Sequence, residues 1–281
     1  MIQQEHATND LSMEAWCEAL DVSPSGYYAW CERDSSPRQL ADARLGDEIE
    51  RVFADSRRIY GSHRVWLKLR DEGIRTSRKR VERLMRERGL RSIRARKRRV
   101  GLTKAGQSAY FAPNLLRQNF SATRKNEKWV MDTTYIPTRE GWLYLVSVMD
   151  LFSRQVVGWA MGDHHDADLA TSALDMAIGR ARPAPGLIVH SDRGSEFANA
   201  RFHSRATEAK IRLSMSSSGN CYDNAAAESF FATVKLEAIP AGIFASRQQA
   251  RMTLFDYIEV FYNRQRLHSG IGYATPVSRA A

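Results

Sequence analysis

The chain has 281 residues, of which 43% are hydrophobic and 26% are charged. This length allows two or three domains with real hydrophobic cores, so the composition excludes a chain that is disordered throughout. The longest apolar stretch, Trp142–Met149, is far shorter than the roughly 20 residues that span a bilayer, and no signal-peptide pattern is present, so we expect a cytoplasmic protein with no membrane partner.

The net charge of +10 is unevenly distributed along the chain. Residues 1–37 hold 1 basic and 7 acidic side chains, residues 38–128 hold 26 and 10, and residues 129–281 hold 15 and 15. The middle segment therefore carries all of the positive excess. A field of that sign favours a polyanion, and nucleic acid is the best candidate, although a basic surface kept only for solubility is the alternative.

Two short helices are predicted first, over Leu11–Leu20 and Ser25–Glu32, with helix-turn-helix spacing. Because this segment is acidic, we interpret the pair as a packing unit rather than an independent DNA contact. A longer helix is predicted from about Arg38 to Ala54. The cysteines form no Cys-x-x-Cys pair, so we expect packing residues and no structural zinc at Cys17, Cys31 and Cys221.

A second helix-turn-helix candidate lies in the basic segment, with helices over residues 62–73 and 77–89 that each end at a glycine. On its second helix the apolar residues gather on one side, and Lys79, Arg83 and Arg86 line the opposite side. Such a stripe fits a major groove or a phosphate backbone, although basic faces are also common on surface helices. The cationic run that follows, with Arg96, Lys97 and Arg98, predicts a linker that tracks phosphates.

From residue 129 the pattern changes to strands that are followed by alternating helices and strands, which predicts a mixed α/β sheet with helices on its faces. The predicted elements are strands over Trp129–Ile136, Trp142–Met149 and Gln155–Met161, a helix over Asp168–Arg180, a strand over Leu187–His190 and a helix over Asn199–Lys210.

Three carboxylates are the candidate site residues of this sheet. Asp132 lies within the first strand, and Asp192 directly follows a short buried strand, where open α/β sheets place their sites. Glu228 lies beside the apolar stripe of a helix that begins near Asp223 or Asn224. Three such carboxylates supply the oxygen ligands that a pair of magnesium-like ions needs for in-line phosphoryl transfer.

Other titratable residues fit this site less well. His164 and His165 are adjacent in a polar loop, so we do not expect them to take part. We interpret Asp150 as a turn residue at a strand end and Asp223 as a helix cap.

Several motifs lie in order along nearly the whole chain. Asp132 lies in Trp-Val-Met-Asp-Thr-Thr-Tyr-Ile, Asp192 in His-Ser-Asp-Arg-Gly-Ser-Glu-Phe, and 35 residues separate Asp192 from Glu228. This pattern resembles that of the DDE transposases and retroviral integrases. More narrowly, the segments 60–64, 220–224 and 228–231, with Lys235 and the closing run 262–268 through Thr275-Pro276, resemble second-frame (OrfB) transposases of bacterial insertion sequences.

This resemblance implies a ribonuclease H-like integrase catalytic core, preceded by an all-α helix-turn-helix DNA-binding segment. It implies that Asp132, Asp192 and Glu228 bind Mg²⁺, with Mn²⁺ as a substitute, and that Lys235 holds DNA. The implied reaction frees a 3′-hydroxyl at the element's end by hydrolysis, and this hydroxyl then attacks another phosphodiester. The implied domains are an N-terminal helical region (1–57), a helix-turn-helix unit (58–92), a basic linker (93–127), the catalytic core (128–240) and a C-terminal helical extension (241–281).

The expected partners are DNA, as terminal repeats and target, and further copies of this chain on that DNA. In two-frame elements an upstream helix-turn-helix product is usually fused to the second product, so such a product is a further expected partner. The first alternative function is a non-catalytic DNA-binding regulator with an integrase-like core, and the second is a structure-selective nuclease. All three carboxylates are present, which argues against the regulator, and a strand-transfer assay discriminates between the regulator and the transposase. The nuclease would cut without joining, and the basic helix-turn-helix before the core favours recognition of the element's ends over that function.

Overall fold

The computed structural model describes residues 12–93, 111–217, 221–239 and 242–281. Its N-terminal part is helical: α1 (Met13–Ala19), α2 (Pro24–Cys31), α3 (Pro37–Asp55), α4 (Ser62–Asp71) and α5 (Arg78–Glu87). Serine hydroxyl groups accept backbone N–H groups at the start of every one of these helices except α4, and they belong to Ser12, Ser23, Ser36 and Ser77. The predicted elements of this part are confirmed.

The turns after α4 and α5 need glycine. Gly73 and Gly89 have φ values of 83° and 67°, in the left-handed region that other residues adopt only with strain. Both helices pack against α3. The buried residues of the three helices include Ile49 of α3, Leu69 of α4 and Leu84 of α5. Cys17 is buried as expected, whereas the packing interpretation of Cys31 is wrong because this residue is exposed.

A five-stranded sheet forms the centre of the molecule, in the order β3-β2-β1-β4-β5. β1 and β2 pair antiparallel, as do β2 and β3, whereas β4 is parallel to both β1 and β5. The strands and the intervening helices are β1 (Lys128–Thr138), β2 (Gly141–Asp150), β3 (Val156–Gly162), α6 (Ala167–Ala181), β4 (Ile188–Ser191), α7 (Ala200–Glu208) and β5 (Arg212–Met215). The sequence does not predict β5, because four residues with an exposed arginine carry too little hydrophobic pattern.

Helices cover both faces of the sheet. α6 and α7 pack on the face that carries Trp129 and Met131. Helix α8 (Ala225–Glu237) and helix α9 (Arg247–Asp256), which continues as a π-helix over Tyr257–Tyr262, contribute to the core on the face of Val130 and Ile136. Since side chains alternate along a strand, Asp132 lies on the α8 face and Thr133 lies on the α6 face.

The segment 263–268, here called the C-terminal clasp, contacts β3 and the residue Tyr60, which precedes α4. The Asn263 side chain exchanges two hydrogen bonds of 3.0 Å with the backbone of Val156 in β3. The Tyr60 hydroxyl, just before α4, donates to the Gln265 carbonyl at 3.1 Å and accepts from the Leu267 N–H at 2.8 Å. The chain ends in helix α10 (Pro276–Ala280). No helix among the described residues is long and apolar enough to cross a membrane.

His268 in the clasp makes folding sensitive to acid. Burial, together with the nearby Arg266 and Arg64, lowers the pKa of His268 to about 3. The folded protein therefore keeps this imidazole neutral, while the unfolded chain takes up a proton below about pH 6.5, so stability falls by about 1.4 kcal/mol per pH unit as the pH drops below that value.

We expect the free energy of unfolding to fall about 2 kcal/mol more between pH 7.5 and pH 5.0 in the unmodified protein than in His268→Gln. Urea titrations of both proteins at the two pH values measure this difference. An equal fall in the two proteins would contradict the lowered pKa of His268.

Candidate active site

Asp132 lies in β1, and Asp192 directly follows β4, the neighbouring parallel strand, at the same level of the sheet. Val130 of β1 is in register with His190 of β4, and each aspartate stands two residues further along its own strand direction. Neighbouring strands lie about 4.8 Å apart, so this register brings the two aspartates together at the carboxyl end of β4. This is the edge at which the sequence predicts a site.

Burial and nearby acidic charges act on both carboxylates. Burial, then the charge of Asp192 and the further charges of Glu228 and Glu196, raise the pKa of Asp132 well above its usual range. Burial and the charges of Glu196 and Glu228 likewise raise the pKa of Asp192. Carboxylates that share a site destabilise each other's ionised form, and a cation between them would relieve that repulsion.

Two backbone amides hold these carboxylates in place. The Thr133 N–H donates to Asp132 Oδ1 at 2.8 Å, and the Gly194 N–H donates to Asp192 Oδ1 at 3.0 Å. Hydrogen bonds to the ionised form partly offset the effect of burial on both groups.

Glu228 lies in the first turn of α8, and the predicted apolar stripe beside it consists of the buried residues Ala227, Phe230, Phe231 and Val234. Its own side chain is exposed. Burial still raises its pKa, and its charge acts on both aspartates. The helix therefore carries the third carboxylate to the rim of the same site.

The chemistry of these donors fits a hard divalent cation, since they offer carboxylate oxygens that are close in space and repel one another. Across residues 12–93, 111–217, 221–239 and 242–281, no group of three or more His, Cys, Asp or Glu residues is arranged to hold a metal ion. The β1–β4 register sets Asp132 near Asp192, and Glu228 is exposed on α8.

Sequence reasoning missed two residues beside the aspartates. Glu196 is 4% exposed, and its Oε1 accepts a hydrogen bond from Thr133 Oγ1 at 2.8 Å. His165, which the sequence does not lead us to expect at the site, has its Nε2 2.6 Å from the same Oε1. Their separation of 31 residues hides the pair in the sequence, although the position of Glu196, four residues after Asp192, is a signal that could have been followed.

The two other acidic residues differ from each other. Asp150 ends β2 and accepts from the Ser153 N–H and hydroxyl at 2.8 and 2.7 Å, as expected for a turn residue. The interpretation of Asp223 as a helix cap is wrong, because α8 follows Asn224 and Asp223 instead accepts from Asn114 and the Ser217 N–H at 2.9 and 2.8 Å. Asp223 therefore joins the segment before α8 to Ser217 and Asn114.

The three residues of the predicted basic stripe of α5 do not share one environment in the structure. Lys79 and Arg86 are exposed. Arg83 instead pairs with Asp42 of α3 at 2.6 Å and with Glu87 at 2.9 Å. Asp42 is fixed between Arg83 and Arg80, whose hydrogen bonds lower its pKa. Arg83 therefore ties α5 to α3, and Arg96, Lys97 and Arg98 lie outside the described residues.

We expect Lys79→Ala with Arg86→Ala to weaken DNA binding and to lower the log–log salt slope by about 0.9 for each phosphate that is no longer neutralised, or about 1.8 in total. Fluorescence anisotropy at several salt concentrations measures this slope. Lys210→Ala with Arg212→Ala is the matched control, because both residues are exposed, at or just before the edge strand β5. An unchanged slope in the first double variant would remove these residues from the interface.

Comparisons with known proteins agree with this architecture. The HTH-like domain family matches residues 39–98, and two integrase core domain families match residues 122–221 and 209–276. In solved structures, the magnesium complex of the HTLV-2 integrase catalytic core (trimeric form) is 16% identical, with a TM-score of 0.45 over 57% of this chain and 100% of that one. The integrase core families and the mixed sheet identify the core as ribonuclease H-like.

Two full-length relatives identify the family. An insertion element IS600 uncharacterized 31 kDa protein of Shigella sonnei is 41% identical over 262 residues, which cover 93% of this chain and 96% of that protein. The transposase InsF for insertion sequence IS3A of Escherichia coli (strain K12) is 40% identical over 272 residues, which cover 95% and 93%. The chain therefore belongs to the IS3-type insertion-sequence transposases, DNA-binding enzymes with an integrase catalytic core.

Proposed function

We propose that this transposase cleaves and joins DNA strands at the ends of its insertion sequence, with Asp132, Asp192 and Glu228 as catalytic carboxylates and Mg²⁺, or Mn²⁺, as cofactor. The observation that supports this most is the register of β1 and β4, which sets Asp132 beside Asp192. Burial and neighbouring acidic charges raise the pKa of both aspartates, and a bound cation would offset that effect.

In this proposal the protein's contribution is positioning and charge. Asp132 and Asp192 would hold the cations from the sheet, and Glu228 would complete the set from α8. When bound, a pair of divalent ions activates the attacking oxygen and stabilises the leaving oxygen of an in-line displacement. Lys235, half-buried in the last turn of α8, would position the DNA end two helical turns beyond Glu228.

DNA recognition is assigned to the basic segment that precedes the core. Residues 38–128 carry 26 basic and 10 acidic side chains, while residues 129–281 are neutral. Most of the electrostatic affinity should therefore come from the helical unit and the run of Arg96, Lys97 and Arg98. We further propose that copies of this chain act together on DNA, joined by an upstream helix-turn-helix product as fusion or partner.

One assay tests the proposed function. The chain is incubated with labelled candidate element ends and Mg²⁺ or Mn²⁺, and the products are mapped by strand on a sequencing gel. Cleavage at the element end followed by joining supports the proposal. Binding without cleavage indicates the DNA-binding regulator, and cleavage that follows DNA structure without joining indicates the nuclease.

We expect Lys235→Ala to reduce strand joining and crosslinking to the DNA end about 10–100-fold while metal binding survives, since a misplaced substrate can cost that much. Lys235→Arg should keep part of the activity because it keeps the charge but changes its shape. Lys210→Ala is the control. Joining rates of Lys235→Ala equal to those of the unmodified protein, at low and moderate salt, would show that Lys235 has no role in DNA positioning.

A further inference from the structure

Glu196 is a buried acid whose position the proposed chemistry does not explain. It lies on the loop after β4, where the N–H groups of Phe197 and Ala198 donate to the Gly194 carbonyl at 3.1 and 3.0 Å. Phe197 is fully buried in the core beneath this turn. The loop is therefore fixed, and it keeps the Glu196 carboxyl buried. Burial of a carboxyl group costs free energy unless other groups interact with it.

One side of this carboxyl contacts the residue that holds Asp132. Thr133 Oγ1 donates to Glu196 Oε1 at 2.8 Å, while the N–H of the same threonine donates to Asp132 Oδ1 at 2.8 Å. A single residue thus links Glu196 on the α6 face of the sheet to Asp132 on the α8 face.

The other side of the carboxyl contacts the residue that holds Asp192. Gly194 donates its N–H to Asp192 Oδ1 at 3.0 Å, and a Cβ at Gly194 would stand 2.4 Å from Glu196 Oε2. The carboxyl therefore lies directly against the glycine. Glu196 Oε2 is buried and has no hydrogen-bond partner among the described residues.

His165 also contacts this carboxyl. Its Nε2 lies 2.6 Å from Glu196 Oε1, its ring stacks on Tyr144 with centroids 5.5 Å apart, and its Nδ1 lies 3.5 Å from the Tyr135 hydroxyl. The aromatic rings fix the imidazole, and the imidazole limits the rotation of the acid.

We propose that Glu196, supported by His165, is a positioning residue that sets the relative placement of the Asp132 and Asp192 carboxylates for metal binding. It rests on Thr133 and Gly194, the two residues whose amides hold those carboxylates. The inference depends on the proposed function, because it assigns Glu196 a role in preparing the same donor pair. Partners that orient metal ligands typically change metal affinity about 10–100-fold when they are removed.

Mn²⁺ binding to the full chain without DNA, measured by electron paramagnetic resonance, tests this role. Glu196→Ala and Thr133→Val should each weaken Mn²⁺ binding about 10–100-fold, whereas Thr133→Ser, which keeps the hydroxyl, should bind nearly as the unmodified protein does. Gly194→Ala should also weaken binding, because its methyl group displaces the Glu196 carboxyl. Glu208→Ala and Gly179→Ala are the controls, since Glu208 is exposed and a Cβ at Gly179 meets no atom within 4 Å.

The double variant Gly194→Ala with Glu196→Ala gives the sharpest result. If the glycine matters because the Glu196 carboxyl lies against it, the double variant should bind Mn²⁺ no more weakly than Glu196→Ala alone. Losses that multiply, or a Thr133→Val protein that binds Mn²⁺ normally, would overturn the positioning role. If Glu196→Ala does not fold, as judged by circular dichroism, the Thr133→Val and Thr133→Ser pair decides alone.

The proposed function fails in a different way. In that case Asp132→Asn would bind Mn²⁺ as well as the unmodified protein does, or neither protein would bind it. The positioning role would then be overturned together with the proposed function. Normal binding in the unmodified protein, lost in Asp132→Asn and unchanged in Glu196→Ala, would overturn the positioning role alone.

Discussion

Asp132→Asn, Asp192→Asn and Glu228→Gln should each reduce strand cleavage and joining at least about 1,000-fold. Each change keeps the shape of the side chain but removes a charge from the donor set, and the transition-state stabilisation at stake is about 4 kcal/mol or more. Strand mapping with Mg²⁺ and with Mn²⁺ measures the loss. DNA binding should persist, since the basic excess lies in residues 38–128.

Stability provides the control for this prediction. In the absence of metal, Asp132→Asn and Asp192→Asn each remove one of two half-buried neighbouring acidic groups, so their thermal unfolding temperatures should equal or exceed that of the unmodified protein. Asp168→Asn, an exposed change at the start of α6, should leave cleavage unaltered. Mg²⁺-dependent cleavage that survives in any of the three variants would remove that residue from the site.

Arg266→Ala should lower the free energy of unfolding by about 3–5 kcal/mol, because it leaves the Glu237 carboxylate buried without its partner. The Arg266 and Glu237 side chains are 9% and 4% exposed. Two hydrogen bonds of 2.8 and 2.7 Å join them, and the Tyr257 hydroxyl adds a third at 2.7 Å. Urea unfolding followed by circular dichroism measures the change.

Arg264→Ala is the matched control two residues away, and this exposed change should cost less than about 0.5 kcal/mol. Glu237 ends α8, the helix that also carries Glu228 and Lys235, so Arg266→Ala should reduce strand joining at temperatures where the chain is still folded. A loss of stability below about 1 kcal/mol would mean that the ion pair is not what fixes this helix.

The parts of the fold that the sequence predicts are those with local signals. Serine caps and glycine ends mark α5 and its neighbours, and long apolar runs mark β1 and β2. The placement of Asp192 follows from the general rule that sites lie at strand ends. These features can be predicted without knowing which residues distant in sequence are in contact.

The features that the sequence does not predict depend on tertiary contacts. The Arg83 ion pair with Asp42 joins residues 41 apart, so helical periodicity alone places Arg83 in the exposed stripe. The Glu196 contact with Thr133 joins residues 63 apart, one on a strand and one on a loop. Asp223 occupies a position typical of a cap, yet its carboxylate bonds to Asn114, 109 residues earlier.

The Tyr60 hydroxyl has a consequence for the order in which the protein is made. Its two partners lie 205 and 207 residues later in the chain. At about 5–20 residues per second, the ribosome delivers them about 10–40 s after Tyr60. Helices α3 to α5 contact one another, so a newly made chain should form this helical unit, the proposed DNA-binding part, well before the clasp closes on Tyr60 and contacts α8.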